Sequence, residues 1–416
     1  MDQILVRGGN KLAGKVKISG AKNAVLPILA ASLMSSQGEV RLGSIPQLMD
    51  VSVMREVLVS LGASVRHEGE NMAIDAARLN GSDAPYSLVS KMRASVLVMG
   101  PLLGRTGRAR VPLPGGCAIG ARPLDLHLKG FQLLGAEVAV GKGYVEATAD
   151  RLMGSTIYLD YPSVGATENI LMAACLAEGE TKIQNAAEEP EIVDLACFVN
   201  SMGGRVEGAG TDTITVRGVT RLNGSEYRVI PDRIEAGTFM VAAAITCGRL
   251  VLENVIPEHV VSITAKLREL GVSITWEDDC LVVQGNGRPT AVDLKTLPYP
   301  GFPTDMQPQM MALLSLSEGN CMVTETVFEN RFMHVPELRR MGADIRIDGR
   351  SALVRGAAAL AGVQVEASDL RAGASLILAA LAAEGVTEVN GVHHVERGYD
   401  DIVAKLKAVG AEIWRS

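Results

Sequence analysis

The chain has 416 residues, 47% apolar and 21% charged, enough for two or three domains of roughly 150 residues and unlike the polar, highly charged composition of disordered chains. Its formal charge of −7, from 40 Lys and Arg against 47 Asp and Glu, excludes a chain-wide electrostatic grip on nucleic acid, so an anionic ligand needs local arginine clusters. Aromatic residues make up only 4%, which argues against a base-stacking surface.

Residues Met1 to Arg7 lack the basic and apolar regions of an export signal, and no later run of about 18 apolar residues occurs. A cytoplasmic protein is expected, with neither a membrane nor a nucleic-acid partner. Strand-like runs at Ile4-Leu5-Val6 and Gly14 to Ile18 come first. After them one pattern recurs six times, a helix closing on an apolar residue, a glycine and a small residue: Leu61-Gly62-Ala63, Leu134-Gly135-Ala136, Met202-Gly203-Gly204, Leu270-Gly271-Val272, Met341-Gly342-Ala343 and Val409-Gly410-Ala411. The glycines step by 73, 68, 68, 71 and 68 residues, so six units tile almost the whole chain. Each glycine follows an amphipathic stretch, such as Val261 to Leu270 or Asp401 to Val409, where a left-handed helix cap is predicted.

A hairpin follows each cap, as in Ser273 to Trp276 with Cys280 to Val283, or Asp344 to Ile347 with Ala352 to Val354. Upstream lies a helix rich in Ala and Leu that ends near a second glycine: Leu171 to Gly179, Phe239 to Gly248, Met310 to Gly319 and Ser375 to Gly385. Each unit reads helix, strand, helix, strand, strand, and its first helix, apolar nearly all round, should be buried. The sixth unit ends on one strand, Glu412-Ile413-Trp414, and an unpaired edge is a liability. The N-terminal strands are therefore expected to complete it. Two three-unit domains result, residues 21–230 and residues 1–20 plus 231–416, with chain crossings near Gly20 and near Arg228 to Asp232 forming a hinge.

The repeat allows residues to be compared by phase. Lys22, Arg93, Asp305 and Arg371 stand 37 to 42 residues before their cap glycines, at the start of the first helix. Arg122, Arg331 and Arg397 stand 11 to 13 residues before theirs, at the start of the second. Equal phase means the same end of each unit. Two domains facing each other at that end would gather these charges and several helix N-termini around one cleft, suited to a small, highly anionic ligand. The alternative is that such arginines pair with acids on solvated faces. For Arg371 the nearby Asp369 is the candidate structural partner.

Between a strand and the second helix of unit two runs Pro112-Leu113-Pro114-Gly115-Gly116-Cys117-Ala118-Ile119-Gly120-Ala121-Arg122-Pro123. A loop this rich in Pro and Gly is a natural carrier of a reacting group, and Arg122 would favour a Cys117 thiolate. The other cysteines sit mainly in apolar contexts that suit buried small hydrophobes, and with no C-x-x-C among the six cysteines reduced thiols are expected. The histidines show no ligand spacing, no G-x-G-x-x-G opens a βαβ unit, and the nearest approach to a P-loop, Gly9 to Lys15, continues with Val16. No metal and no cofactor are expected.

The segments Gly20-Ala21-Lys22-Asn23-Ala24, Pro114-Gly115-Gly116-Cys117 with Gly120-Ala121-Arg122-Pro123, Ser163-Val164-Gly165-Ala166-Thr167, Phe302-Pro303-Thr304-Asp305, Glu329-Asn330-Arg331-Phe332 and Glu396-Arg397-Gly398-Tyr399 together resemble the enolpyruvyl transferases, in the branch that uses a nucleotide sugar. The resemblance spans all six units. It implies a two-domain inside-out α/β barrel of six units. It also implies transfer of the enolpyruvyl group of phosphoenolpyruvate to the 3′-hydroxyl of UDP-N-acetylglucosamine, with loss of phosphate, as the first committed step of peptidoglycan synthesis. Cys117 would match the loop cysteine that protonates the phosphoenolpyruvate methylene, forms a covalent adduct with it and is the target of fosfomycin. Lys22, Arg122 and Arg397 would hold phosphate, Arg331 and Arg371 carboxylate, and Asp305 would take the sugar hydroxyl proton. Asn23 matches a position in contact with both substrates. Arg93, Arg122, Pro123, Leu124, Asp125, Leu126, Ser163, Val164, Asp305 and Val327 match positions that contact the nucleotide sugar. Tyr161 departs from the pattern, standing where some members carry a basic residue. Rival readings are the shikimate-pathway enolpyruvyl transferase, a non-catalytic nucleotide-sugar sensor and a structural repeat scaffold. The cysteine loop argues against the first, the joint presence of Cys117, Asp305 and the arginines against the second, and the third fails because nothing structural calls for Arg at matched phases.

Overall fold

The computed structural model describes residues 3–113 and 124–416. They form two compact bodies, one of residues 3–19 and 231–416, the other of residues 20–113 and 124–230. All six cap glycines have left-handed backbone, with φ between 91° and 102°, a region open to glycine and costly for most residues. The second helices they close are Met49–Ser60, Asp125–Leu133, Pro190–Ser201, Val261–Glu269, Val335–Arg340 and Ile402–Ala408. The expected hairpins follow, for example Ser273–Glu277 with Cys280–Gln284 and Asp344–Asp348 with Ser351–Arg355.

In the body of residues 3–19 and 231–416, three four-stranded sheets surround three helices. Helices Arg233–Ile245, Gln307–Leu314 and Leu370–Ala382 pack against one another, and the first two are buried on every side. This places helices inside and sheets outside, because a helix that is apolar all round has no face to give to water. Strand Ile4–Arg7 lies between Val386–Asn390 and Glu412–Arg415, antiparallel to both, and so supplies the partner that the last repeat lacks. Ala13–Lys17 pairs parallel with Arg249–Glu253, so the N-terminal segment completes two sheets.

The body of residues 20–113 and 124–230 has two four-stranded sheets, a three-stranded sheet and a two-stranded pair. Helices Lys22–Ala31 and Val164–Ala174 lie in its core. Strand Glu226–Arg228 returns to pair with Val40–Gly43, closing this body with its own C-terminal segment. Units three, five and six each carry one element beyond the sequence reading, a strand before the first helix that is parallel to the strand after it. Thr156–Tyr158, Leu294–Lys295 and Gln364–Glu366 are such strands, each only two or three residues long and too short for a periodicity to register.

Two first helices begin later than their charge-bearing residues suggest. Arg93–Val98 and Thr304–Met306 are 3-10 turns that lead into α-helices Met99–Thr106 and Gln307–Leu314. Pro101 and Pro308 explain the change. Each falls in the first turn of its α-helix, where a missing N–H costs no hydrogen bond.

Candidate active site

Asp305 lies in the 3-10 turn Thr304–Met306, and Arg371 at the start of helix Leu370–Ala382. Arg331 lies in the turns ahead of helix Val335–Arg340. The fold brings the three side chains together. Arg331 Nη2 donates to Asp305 Oδ1 at 2.9 Å, and Arg371 Nη2 donates to Asp305 Oδ2 at 2.9 Å with its Nε at 3.3 Å. Both arginines are buried, 4% and 2% exposed, while the Asp305 side chain is 26% exposed. Asp369 is not the partner of the Arg371 side chain. Its Oδ1 caps the helix by accepting the backbone N–H groups of Arg371 and Ala372, which leaves the guanidinium free to turn to Asp305.

Two guanidiniums and one carboxylate leave an excess positive charge in a poorly hydrated place. Burial is the largest single influence and would lower the Arg371 pKa, but Asp305, Tyr399 and Asp232 together outweigh it and raise it above the usual arginine value. Arg331 Nε and Nη1 and Arg371 Nη1 are buried without a hydrogen-bond partner among the described residues. Buried donors of this kind are costly unless a ligand meets them. The cluster is therefore built for an anion, and the planar forks suit a carboxylate. Behind it, His334 is held neutral, its pKa lowered to about 4 by burial and by Arg331.

Val327 is placed by Glu325, a residue that the sequence reading missed. The buried Glu325 carboxylate accepts from the Val327 and Phe328 backbone N–H groups and from the hydroxyls of Thr296 and Thr304. It thereby ties the Val327 turn to the neighbour of Asp305. Arg397 is half-buried in the turns before helix Ile402–Ala408, and its charge acts on His394.

In the other body, Lys22 opens helix Lys22–Ala31, whose N-terminus has no side-chain cap, and Asn23 beside it is exposed. A positive dipole end therefore adjoins a cation. Lys22 Nζ sits 2.7 Å from Asp50 Oδ2 in a largely buried ion pair. Ser163 caps helix Val164–Ala174 through a long 3.4 Å bond from the Ala166 N–H. Leu124, Asp125 and Leu126 begin helix Asp125–Leu133, and one residue on is the buried His127. Asn169 Nδ2 lies 2.9 Å from His127 Nδ1. Because that amide nitrogen can only donate, His127 is neutral with its proton on Nε2. Burial, then Arg93, lowers its pKa to about 4. Tyr161 is exposed. Cys117, Arg122 and Pro123 lie outside the described residues.

Asp50 and Arg233 went unnoticed in the sequence although they stand 12 and 38 residues before their cap glycines, within the two phases already singled out. Asp50 pairs with Lys22, and Arg233 lies over the ring of Tyr299 at 5.7 Å. A comparison by phase alone, without regard to sign, finds both.

Among the described residues no His, Cys, Asp or Glu cluster could hold a metal ion. No helix among them is long and apolar enough to cross a membrane. A cavity of about 660 Å³ over the sheet of Val40–Gly43 is lined by Arg41, Arg66 and Arg228 together with Glu39, Glu68 and Glu226. Its charges cancel, so it offers an anion no net attraction.

The inside-out α/β architecture is that of an enolpyruvyl transferase, and comparison with known proteins agrees. The family model described as EPSP synthase (3-phosphoshikimate 1-carboxyvinyltransferase) matches residues 6–406. The chain belongs to this family. It is 57% identical, over 100% of its length and 99% of the relative's, to UDP-N-acetylglucosamine 1-carboxyvinyltransferase 2 of Carboxydothermus hydrogenoformans. It is 59% identical, over 99% of both chains, to UDP-N-acetylglucosamine 1-carboxyvinyltransferase 1 of Caldanaerobacter subterraneus subsp. tengcongensis. Among solved structures, the enolpyruvyl transferase NikO from Streptomyces tendae superposes with a TM-score of 0.90 at 27% identity, covering 100% of this chain and 99% of that one. An EPSP synthase from Acinetobacter baumannii, 21% identical over the whole of both chains with a TM-score of 0.78, shares the fold.

Proposed function

We propose that the protein transfers the enolpyruvyl group of phosphoenolpyruvate to the 3′-hydroxyl of UDP-N-acetylglucosamine and releases phosphate, opening peptidoglycan synthesis. The observation that carries this reading is the buried Arg331–Asp305–Arg371 cluster with its unmet donors, joined to full-length identity with relatives of that name. Arg331 and Arg371 receive the phosphoenolpyruvate carboxylate, while Lys22, Arg122 and Arg397, with Asn23, hold its phosphate. Arg93, residues 122–126, Ser163, Val164 and Val327 take the nucleotide sugar, whose diphosphate suits the weakly capped start of helix Val164–Ala174.

In the first step the sugar 3′-oxygen bonds to C2 of phosphoenolpyruvate while C3 gains a proton from Cys117. Asp305 takes the hydroxyl proton. Its carboxylate suits this role because it is the exposed member of an otherwise buried cluster. In the second step the C2–O bond to phosphate breaks and C3 returns a proton to the Cys117 thiolate left by the first step, which regenerates the double bond and the thiol. Fixed cations stabilise charge on the phosphate and carboxylate throughout, and holding two substrates together removes much of the entropic barrier. The five described cysteines are free thiols, which fits a cytoplasmic site of action.

The test is to incubate the enzyme with both substrates and identify the product by NMR. An enolpyruvyl ether on the sugar 3′-oxygen is expected; an unmodified nucleotide sugar would refute the reading.

A further inference from the structure

Arg371 must keep its place when a substrate carboxylate draws it from Asp305, and a long side chain with one anionic partner needs something else to hold it. That something passes through the helical core. Tyr399 is 2% exposed, and its ring centroid lies 5.4 Å from the Arg371 guanidinium carbon, within the range of a cation–π contact. Its hydroxyl is 3.0 Å from Thr238 Oγ1 and 3.2 Å from Gln309 Nε2.

The proton directions in this string follow from counting. Thr238 has one hydroxyl proton and donates it to the Ile234 carbonyl at 2.8 Å, so toward Tyr399 its oxygen can only accept. The Tyr399 proton therefore points to Thr238. The Gln309 amide N–H groups donate to the Tyr399 oxygen and, at 3.3 Å, to Thr238 Oγ1. Tyr399 is left with no donor of its own to turn on Arg371 and presents only its ring face and a lone pair. Thr238, Gln309 and Arg371 come from the three mutually packed central helices, so the string references the guanidinium to the buried helical core of this body.

We propose that Tyr399, oriented by Thr238 and Gln309, is the positioning residue that fixes Arg371 for the carboxylate of the three-carbon substrate. This rests on the proposed function for the identity of that substrate. Tyr399→Phe keeps the ring and removes the string, and Thr238→Val removes the acceptor that orients the hydroxyl.

The experiment measures phosphoenolpyruvate binding by equilibrium dialysis, and KM for each substrate, in wild type, Tyr399→Phe, Thr238→Val, the double variant and Thr238→Ser. Expected is about a tenfold weaker Kd and higher KM for phosphoenolpyruvate in either single variant, with the KM for UDP-N-acetylglucosamine changed less than twofold. The double variant should be no worse than the singles, because both cut one string, and Thr238→Ser should restore wild-type affinity. Equal changes in both KM values, additive losses, or a fall in melting temperature with unchanged phosphoenolpyruvate affinity would overturn the positioning role. If wild type binds phosphoenolpyruvate but does not turn it over with UDP-N-acetylglucosamine, the proposed function fails while the Kd comparison still decides the role of Tyr399. If wild type does not bind phosphoenolpyruvate, both fall. Should Tyr399→Phe not fold, Thr238→Val and Thr238→Ser carry the comparison.

Discussion

Replacing Asp305 by Asn removes one charge, keeps the shape of the side chain, and leaves two buried guanidiniums facing an amide. At about 4 Å between charge centres and an effective dielectric near 20, each ion pair is worth about 4 kcal/mol before desolvation and arginine–arginine repulsion are subtracted. Breaking a buried pair typically costs 3–5 kcal/mol. The partial exposure of the Asp305 side chain, 26%, moves the expectation to the lower end, about 3 kcal/mol. In a body of roughly 200 residues that corresponds to a fall in melting temperature of about 6–12 °C. Added phosphoenolpyruvate should restore more of the lost stability in the variant than it adds to wild type, since its carboxylate supplies the missing anion. Turnover should fall by about 10²–10⁴, the usual effect of losing a general base. Differential scanning fluorimetry with and without phosphoenolpyruvate, and steady-state phosphate release, measure the two effects. A kcat within threefold of wild type would refute the base, and an unchanged melting temperature would refute the charge cluster.

Cys117→Ser should abolish alkylation by the epoxide phosphonate fosfomycin, as read by intact-protein mass spectrometry; modification at another cysteine would contradict the loop assignment. Gly62→Ala should destabilise more than Gly271→Ala in urea unfolding. Both strain a left-handed cap (φ 101° and 91°), about 1–2 kcal/mol, but only at Gly62 would a Cβ also press on Asn80, 2.8 Å from its backbone nitrogen. The buried His127 and His334 have pKa values lowered from 6.5 to about 4, so the unfolded chain binds more protons than the native one. Their contribution is therefore full above pH 6.5 and lost as pH falls toward 4, on the order of 3 kcal/mol each. Unfolding free energies from pH 8 to pH 4.5 should show this slope, reduced in His127→Gln; an equal slope in the variant would refute the buried neutral state.

Much of the architecture could be read from glycine alone, because each cap needs a backbone conformation that other residues avoid and the repeat sets that need at a regular spacing. The missing strand partner of the last unit was legible for a similar reason, since an unfilled edge must be covered. Leu294–Lys295 was not legible, because two residues carry no alternation and their pairing depends on Asn320–Thr324 some 30 positions away. In the site, the phases drew out Asp305, Arg331 and Arg371, but the pairing of Arg371 with Asp305 rather than Asp369 is decided by packing of helices 66 residues apart in the chain. Glu325 was hidden because its importance lies in what it orients, and Tyr399, quoted only as the end of a motif, gave no sign of its bonds to Thr238 and Gln309. Asp50 was hidden because attention to cations passed over an acid at the same phase.

The most direct measurement is phosphate release from phosphoenolpyruvate, followed in parallel with UDP-N-acetylglucosamine and with shikimate 3-phosphate as acceptor. Sustained release with UDP-N-acetylglucosamine, and none above background with shikimate 3-phosphate, is the predicted result. Turnover with shikimate 3-phosphate, or with neither acceptor, would contradict it.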